Sequence, residues 1–160
     1  NSEKIRNLIL NNKSKFHKST DLFLYLAARN ENLVNLIDKN YGKKIILIDR
    51  FVDSTLAYQH FGMGIDSKFI KKINNFLLNN VKINLTFLNL VSIKNVKIRL
   101  SKRKKLNRYD KFKMSFYNKV QKGYIKIANK NKKKYKIINT NKSVSINKKF
   151  VISEFEKLIK

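Results

Sequence analysis

Proline, cysteine and tryptophan are absent from the 160 residues, and glycine occurs only four times. Without cysteine there is no disulfide framework and no thiolate metal site, a composition that suits a reducing, cytoplasmic setting. His17 and His60 have no second metal-binding side chain at usable spacing, so neither is read as a ligand. The longest apolar runs, such as "IILI" and "DLFLYLAA", are too short to span a bilayer. No signal peptide is evident, so no membrane partner is expected. Acidic residues are also scarce: 10 Asp and Glu stand against 37 Lys and Arg, a formal net charge of +27. Such a charge raises a basic nucleic-acid-binding protein as one reading. Yet Lys, Asn and Ile crowd every segment, as AT-rich coding would produce, and most aromatics fall on apolar faces. A nucleic-acid surface instead gathers its charge and stacking rings on one face, so no nucleic-acid partner is expected.

What is present is enough apolar sequence, 42% of the residues, for one domain with a core. No Gly/Ser or Pro linker divides residues 1–160, and no repeat is visible. Helical spacing predicts helices over 2–12, 19–40, 53–61, 67–79, 92–105, 112–130 and 148–160. Ser19 or Thr20 is the expected cap of the second helix and Gly42 its terminator; Asp66 or Ser67 is the expected cap of the fourth. Phe150, Ile152, Phe155, Leu158 and Ile159 form the expected apolar face of the last helix. Three apolar runs, 44–48, 83–90 and 135–140, read as strands. Strands alternating with helices give an α/β fold: a parallel sheet covered on both faces, in three layers. Ligands bind such sheets beyond the carboxyl ends of the strands.

One such end carries "DRFVDSTLAYQ" at residues 49–59. Arg50, leaving the apolar run, can grip a phosphate with two parallel donors. Asp49 can hold that Arg or position a metal-bound water. Ser54 and Thr55 add hydroxyls near the next helix start, and Tyr58 and Gln59 follow one turn on. A bare salt bridge and an N-cap would explain Asp49, Arg50 and Ser54 singly. The whole string calls for more.

The pattern D-R-F/Y-x-x-S-x-x-A-Y-Q, followed by a Gly-containing turn and "GID", resembles the signature of bacterial thymidylate kinases, which are P-loop nucleotide kinases. "DLFLYLAAR" (21–29) resembles that family's dTMP-binding helix. "LNRYDKFKMSFYNKVQKGYIKIA" (106–128) resembles its lid end and the helix that follows. The resemblance implies ATP-dependent phosphorylation of dTMP to dTDP, with Mg2+ accompanying ATP. It also suggests a homodimer. The rival within the same class is another (deoxy)nucleoside monophosphate kinase. Residue by residue, Arg50 would bind the dTMP phosphate, with Asp49 near magnesium and phosphates. Tyr25 would stack on thymine, and Arg29 would bond the base edge. Thr55 and Gln59 would help hold the nucleotide beside Ser54, and Tyr58 would pack near the deoxyribose. Arg99, Arg103 and Arg108 lie in or beside the implied lid, about residues 99–111, where an Arg would neutralise charge during transfer.

Three positions depart from the pattern: His60 replaces a common Gly, Met63 a common Arg, and Asn107 a common Asp. The family's phosphate loop, G-x-x-x-x-G-K-S/T, does not occur in these residues. The expectation is therefore a thymidylate-kinase fold without its first strand and phosphate loop, unstable and inactive as an isolated 160-residue chain.

Overall fold

Ile5, Leu8 and Ile9 recur at helical spacing and form α1 (Ser2–Leu10), which buries Ile9 completely against α2 (Lys18–Asn32). The structure, a computed structural model, describes residues 1–159. The cap of α2 is His17, not Ser19 or Thr20: its ring Nδ1 accepts from the Ser19 backbone N–H at 3.4 Å. The helix runs on through a π-helical stretch, Leu33–Ile37, into α3 (Asp38–Asn40). Gly42 then turns the chain at φ 74°, a conformation that favours glycine.

The run 44–48 is not a strand, which corrects the sequence expectation. Lys44 N–H bonds only back to the Asn40 carbonyl at 3.0 Å, residues 45–48 make no backbone hydrogen bond among the described residues, and Ile45, Leu47 and Ile48 are exposed, Leu47 at 84%. A strand exists only by bonding to a neighbour. Here a cleft of about 1320 Å³ separates this segment from the nearest strand.

Next come α4 (Val52–Thr55) and a π-helical continuation, Leu56–Gly62. Then α5 (Ser67–Leu78) starts on Asp66, whose carboxylate accepts from the N–H groups of Lys68 and Phe69 as expected. The sheet has two parallel strands among the described residues, β1 (Thr86–Leu90) and β2 (Tyr135–Asn139). Their register pairs Thr86 with Tyr135 and Leu90 with Asn139. Between them lie α6 (Ile93–Ser101), capped by Ser92, and α7 (Met114–Lys130). The last helix, α8 (Val144–Ile159), begins four residues before its expected start. Its expected apolar face is not buried either: Phe150, Ile152, Leu158 and Ile159 are exposed, and Phe155, Leu158 and Ile159 line the same cleft as Leu47. Lys160, the expected end of this helix, lies outside the described residues.

Two cores hold these parts. Leu22, Leu26 and Ile70 join α2 to α5, with Ile65, Ile73 and Leu77 packed around them. Leu88, Ala128 and Tyr135 join the sheet to α7. Each fully buried aliphatic side chain contributes roughly 1.5–3 kcal/mol. Close approach of α7 to the Leu56–Gly62 stretch completes the frame, with Phe61 over Gly123 and Phe116 over Gly62.

Candidate functional site

Asp21, Tyr25 and Arg29 lie four residues apart on α2 and so share one helical face. Helix α5 and the first turn of α4 close on that face. Arg29 Nη1 donates to Asn74 Oδ1 at 3.0 Å, while Nη2 donates to the Phe51 carbonyl at 3.1 Å and to Thr55 Oγ1 at 2.5 Å. Three of the five guanidinium N–H donors are thus used inside the protein. Burial lowers the Arg29 pKa to about 10, against the pull of Asp53, so the group stays cationic at neutral pH. Because Thr55 accepts from Arg29, its own hydroxyl proton stays available to another partner.

Arg50 sits at φ 61°, in the left-handed region that a residue with a Cβ seldom adopts. Such strain concentrates at functional positions. The Arg50 guanidinium lies 5.3 Å from the centre of the Tyr58 ring. Desolvation works to lower its pKa, but Tyr58, Tyr124 and Asp49 outweigh that effect and raise it. Asp49 beside it is exposed. An always-charged fork held on an aromatic face at a chain turn is suited to a phosphate.

Tyr58 lies at the centre of an aromatic cluster. Tyr109, Phe116 and Tyr124 approach it at 6.0, 5.9 and 6.4 Å between ring centres. Tyr109 also meets Tyr25 edge-on at 5.9 Å, so it bridges the two tyrosines singled out from the sequence. Burial raises the pKa values of Tyr25 and Tyr124, and pushes Tyr109 further up, so all three are neutral hydroxyls at working pH. Ser54 accepts from the Tyr124 hydroxyl at 2.7 Å, which ties α4 to α7. Tyr135 donates to Asp53, which ties α4 to β2. Gln59 is 2% exposed, and its Nε2 is the one buried side-chain polar atom among the described residues with no partner. An orphaned donor of this kind costs about 1–3 kcal/mol until something accepts from it.

The structure therefore brings together Tyr25, Arg29, Arg50, Ser54, Thr55 and Tyr58, with Gln59 on the same π-helical stretch as Tyr58. Of the three arginines of the expected lid, Arg108 reaches this cluster, 5.2 Å from the centre of the Tyr109 ring, whereas Arg99 and Arg103 bond elsewhere. Arg99 Nη2 donates to the Thr140 carbonyl at 2.7 Å. Arg103 pairs with Asp110 at 2.6 Å. Arg108 pairs with Asp21, donates to the Ile9 carbonyl at 3.0 Å and lies 5.5 Å from the Phe16 ring centre. Met63 ends the π-helical stretch, and His60 Nδ1 lies 2.8 Å from the Ile65 carbonyl, closing the turn.

Sequence reasoning missed Asp21, Asn74 and Tyr109. Asp21 was visible as the acidic residue one turn before Tyr25 on the same face. Asn74 was visible as a polar residue on the apolar stripe of Ile70, Ile73 and Leu77. Tyr109 carried no local signal, since its neighbours arrive from distant segments.

Comparison with known proteins places these residues in context. A family model described as Thymidylate kinase matches residues 2–151. The thymidylate kinase of Onion yellows phytoplasma is 39% identical over 83% of this chain and 66% of its own length. That of Mycoplasma mobile is 32% identical over 99% of this chain and 78% of its own. The crystal structure of thymidylate kinase from Ehrlichia chaffeensis superposes with a TM-score of 0.75 at 28% identity, covering 96% of this chain and 72% of that one. The chain thus spans about two thirds of the phytoplasma relative and up to 78% of the others named here.

Proposed function

The chain belongs to the thymidylate kinase family of phosphotransferases, and from that premise we propose that Tyr25, Arg29, Arg50, Thr55, Tyr58 and Gln59 hold dTMP as the acceptor for the γ-phosphoryl group of ATP, giving dTDP. Arg50 grips the acceptor phosphate. Tyr25 offers an aromatic face for the thymine ring. Arg29 has two N–H donors left, and Gln59 Nε2 is a third donor without a partner. Donors around a base favour one rich in carbonyl acceptors, as thymine is. Tyr58, packed from three sides, supports the sugar.

Phosphoryl transfer asks the protein mainly for position and charge. Arg50 supplies both on the acceptor side. On the donor side, Arg99, Arg103 and Arg108 are the cations of this chain assigned to the lid. Mg2+ enters with ATP as part of the co-substrate. Among the described residues no three carboxylate, His or Cys side chains gather to hold a metal. Asp53 is engaged by Tyr135, which leaves the exposed Asp49 as the carboxylate able to accept from a metal-bound water. No helix of the described residues is long and apolar enough to cross a membrane, and a cytoplasmic enzyme meeting dissolved dTMP and ATP is the reading adopted. A homodimer is part of it: Phe23 and Phe69, edge to face at 6.4 Å between ring centres and both exposed, offer apolar surface for a second copy.

The observation that carries this reading is Arg50, strained at φ 61° and stacked on Tyr58, on the same stretch of chain as the buried, unpartnered Gln59 Nε2. Steady-state kinetics of the full-length protein with ATP, Mg2+ and dTMP test it. Arg50→Ala is expected to lower kcat/KM by about a hundredfold or more, equivalent to roughly 3 kcal/mol. Unchanged kinetics would remove Arg50 from the site.

A further inference from the structure

The Arg29 guanidinium is held by acceptors from two directions. Phe51, the cap of α4, and Thr55, its last residue, take both bonds of Nη2. Asn74, from the middle of α5, takes the bond of Nη1. Acceptors on Nη2 anchor one corner of the planar guanidinium. A further acceptor on Nη1 anchors a second corner and so fixes where Nε–H and the second Nη1–H point.

Asn74 is unusual in its own surroundings. It is 4% exposed and sits on the apolar stripe of Ile70, Ile73 and Leu77, where α5 packs on Leu22 and Leu26. Burying an amide on such a face costs stability unless both its ends are bonded. Both are: Oδ1 accepts from Arg29, and Nδ2 donates to the Val52 carbonyl at 3.4 Å. Each bond reaches the proposed acceptor wall, one to the α2 arginine and one to the first residue of α4. An aliphatic residue would serve the packing of α2 on α5 without either bond.

We propose that Asn74 is a positioning residue for base recognition: it sets the plane of the Arg29 guanidinium so that its free N–H donors meet the edge of the acceptor base, and it locks α4 to α5 behind that contact. This rests on the dTMP reading for its substrate, though not for its geometry. A residue acting through Arg29 touches no substrate, so its loss falls on affinity and base selectivity rather than on the transfer step.

The test uses the full-length protein with Asn74→Leu, which removes both bonds while keeping the branching of the side chain, and Asn74→Asp, which keeps the acceptor for Arg29. For Asn74→Leu, KM for dTMP is expected to rise about tenfold with kcat within about threefold. The preference for dTMP over dCMP is expected to fall about tenfold, and Asn74→Asp to recover KM to within about threefold of the unmutated protein. A purely structural role would shift melting temperature without this split or this rescue. A folded Asn74→Leu protein with unaltered KM and selectivity overturns the proposal, as does Asn74→Asp failing as badly as Asn74→Leu. Should Asn74→Leu not fold, nitrogen NMR of the Arg29 side chain in Asn74→Ser replaces it. Guanidinium rotation is expected to be slow in the unmutated protein and clearly faster in the variant, and equal rates overturn the proposal. That readout needs no turnover. Absent dTMP kinase activity in the unmutated protein would therefore sink the functional reading while leaving the Asn74–Arg29 geometry decided on its own evidence.

Discussion

Arg108 and Asp21 form an ion pair across 87 positions of sequence, with only 15% and 4% of their side chains exposed. Asp21 also accepts from the Tyr109 hydroxyl at 3.2 Å. The base of the expected lid is thereby fastened to the helix that carries Tyr25 and Arg29. Breaking a buried pair from one side strands the other charge, which costs about 3–5 kcal/mol. Asp21→Ala is accordingly expected to lower stability by that amount in urea titration. The double variant Asp21→Leu with Arg108→Met is expected to lose clearly less than the sum of the single changes.

Arg50 separates strain from function. Glycine at φ 61° carries no Cβ penalty, whereas alanine does. Arg50→Gly and Arg50→Ala both remove the guanidinium and its contact with Tyr58. They are expected to be equally poor with dTMP, yet Arg50→Gly should be more stable than Arg50→Ala by about 1–2 kcal/mol. Thermal melts of the two variants side by side check this.

The tyrosine cluster sets an alkaline limit. Burial raises the pKa values of Tyr25, Tyr109, Tyr124 and Tyr135, and lifts Tyr117 to about 12. A group whose folded pKa exceeds its unfolded value contributes stability that is complete below the unfolded pKa and is lost as pH climbs toward the folded one. The window therefore opens near pH 10, the ordinary tyrosine value, and extends through about 12 for Tyr117. Urea midpoints are expected to be level between pH 8 and 9.5 and to fall steadily above 10.

Gly123 marks the tightest contact between α7 and the Leu56–Gly62 stretch. A Cβ there would lie 2.5 Å from Phe61 Cδ2 and 2.8 Å from Phe61 Cβ. The near end of the side chain cannot yield as a ring tip could, so Gly123→Ala is expected to cost about 1–3 kcal/mol. Phe61→Leu in the same background should recover part of that loss.

Much of this molecule was readable in the sequence because helices declare themselves locally. The helices that carry Leu22, Leu26 and Ile70 lie where helical spacing predicts them, and Asp66 caps the expected helix. Residues 44–48 misled because an apolar β-branched run records burial potential, whereas a strand is defined by the neighbour it bonds to. Ile45 and Leu47 line a cleft instead, and the last helix leaves Phe150 and Ile152 exposed. Within the site, Arg50, Thr55 and Tyr58 were legible through one contiguous string. Asn74 and Asp21 carried only a local hint, a polar side chain on a helical face, because the arginines that give them meaning lie 45 and 87 residues away.

The central claim, that the wall built by Tyr25, Arg29, Arg50, Thr55, Tyr58 and Gln59 selects dTMP, is tested most directly by acceptor competition. The full-length protein, with ATP and Mg2+, is offered dTMP, dUMP, dCMP and dGMP separately in a coupled phosphoryl-transfer assay. The account predicts the highest kcat/KM for dTMP, with dCMP and dGMP lower by at least about a hundredfold, the discrimination expected when buried donors are left unpaired by the wrong base. Equal turnover of all four, or preference for dCMP or dGMP, would contradict it.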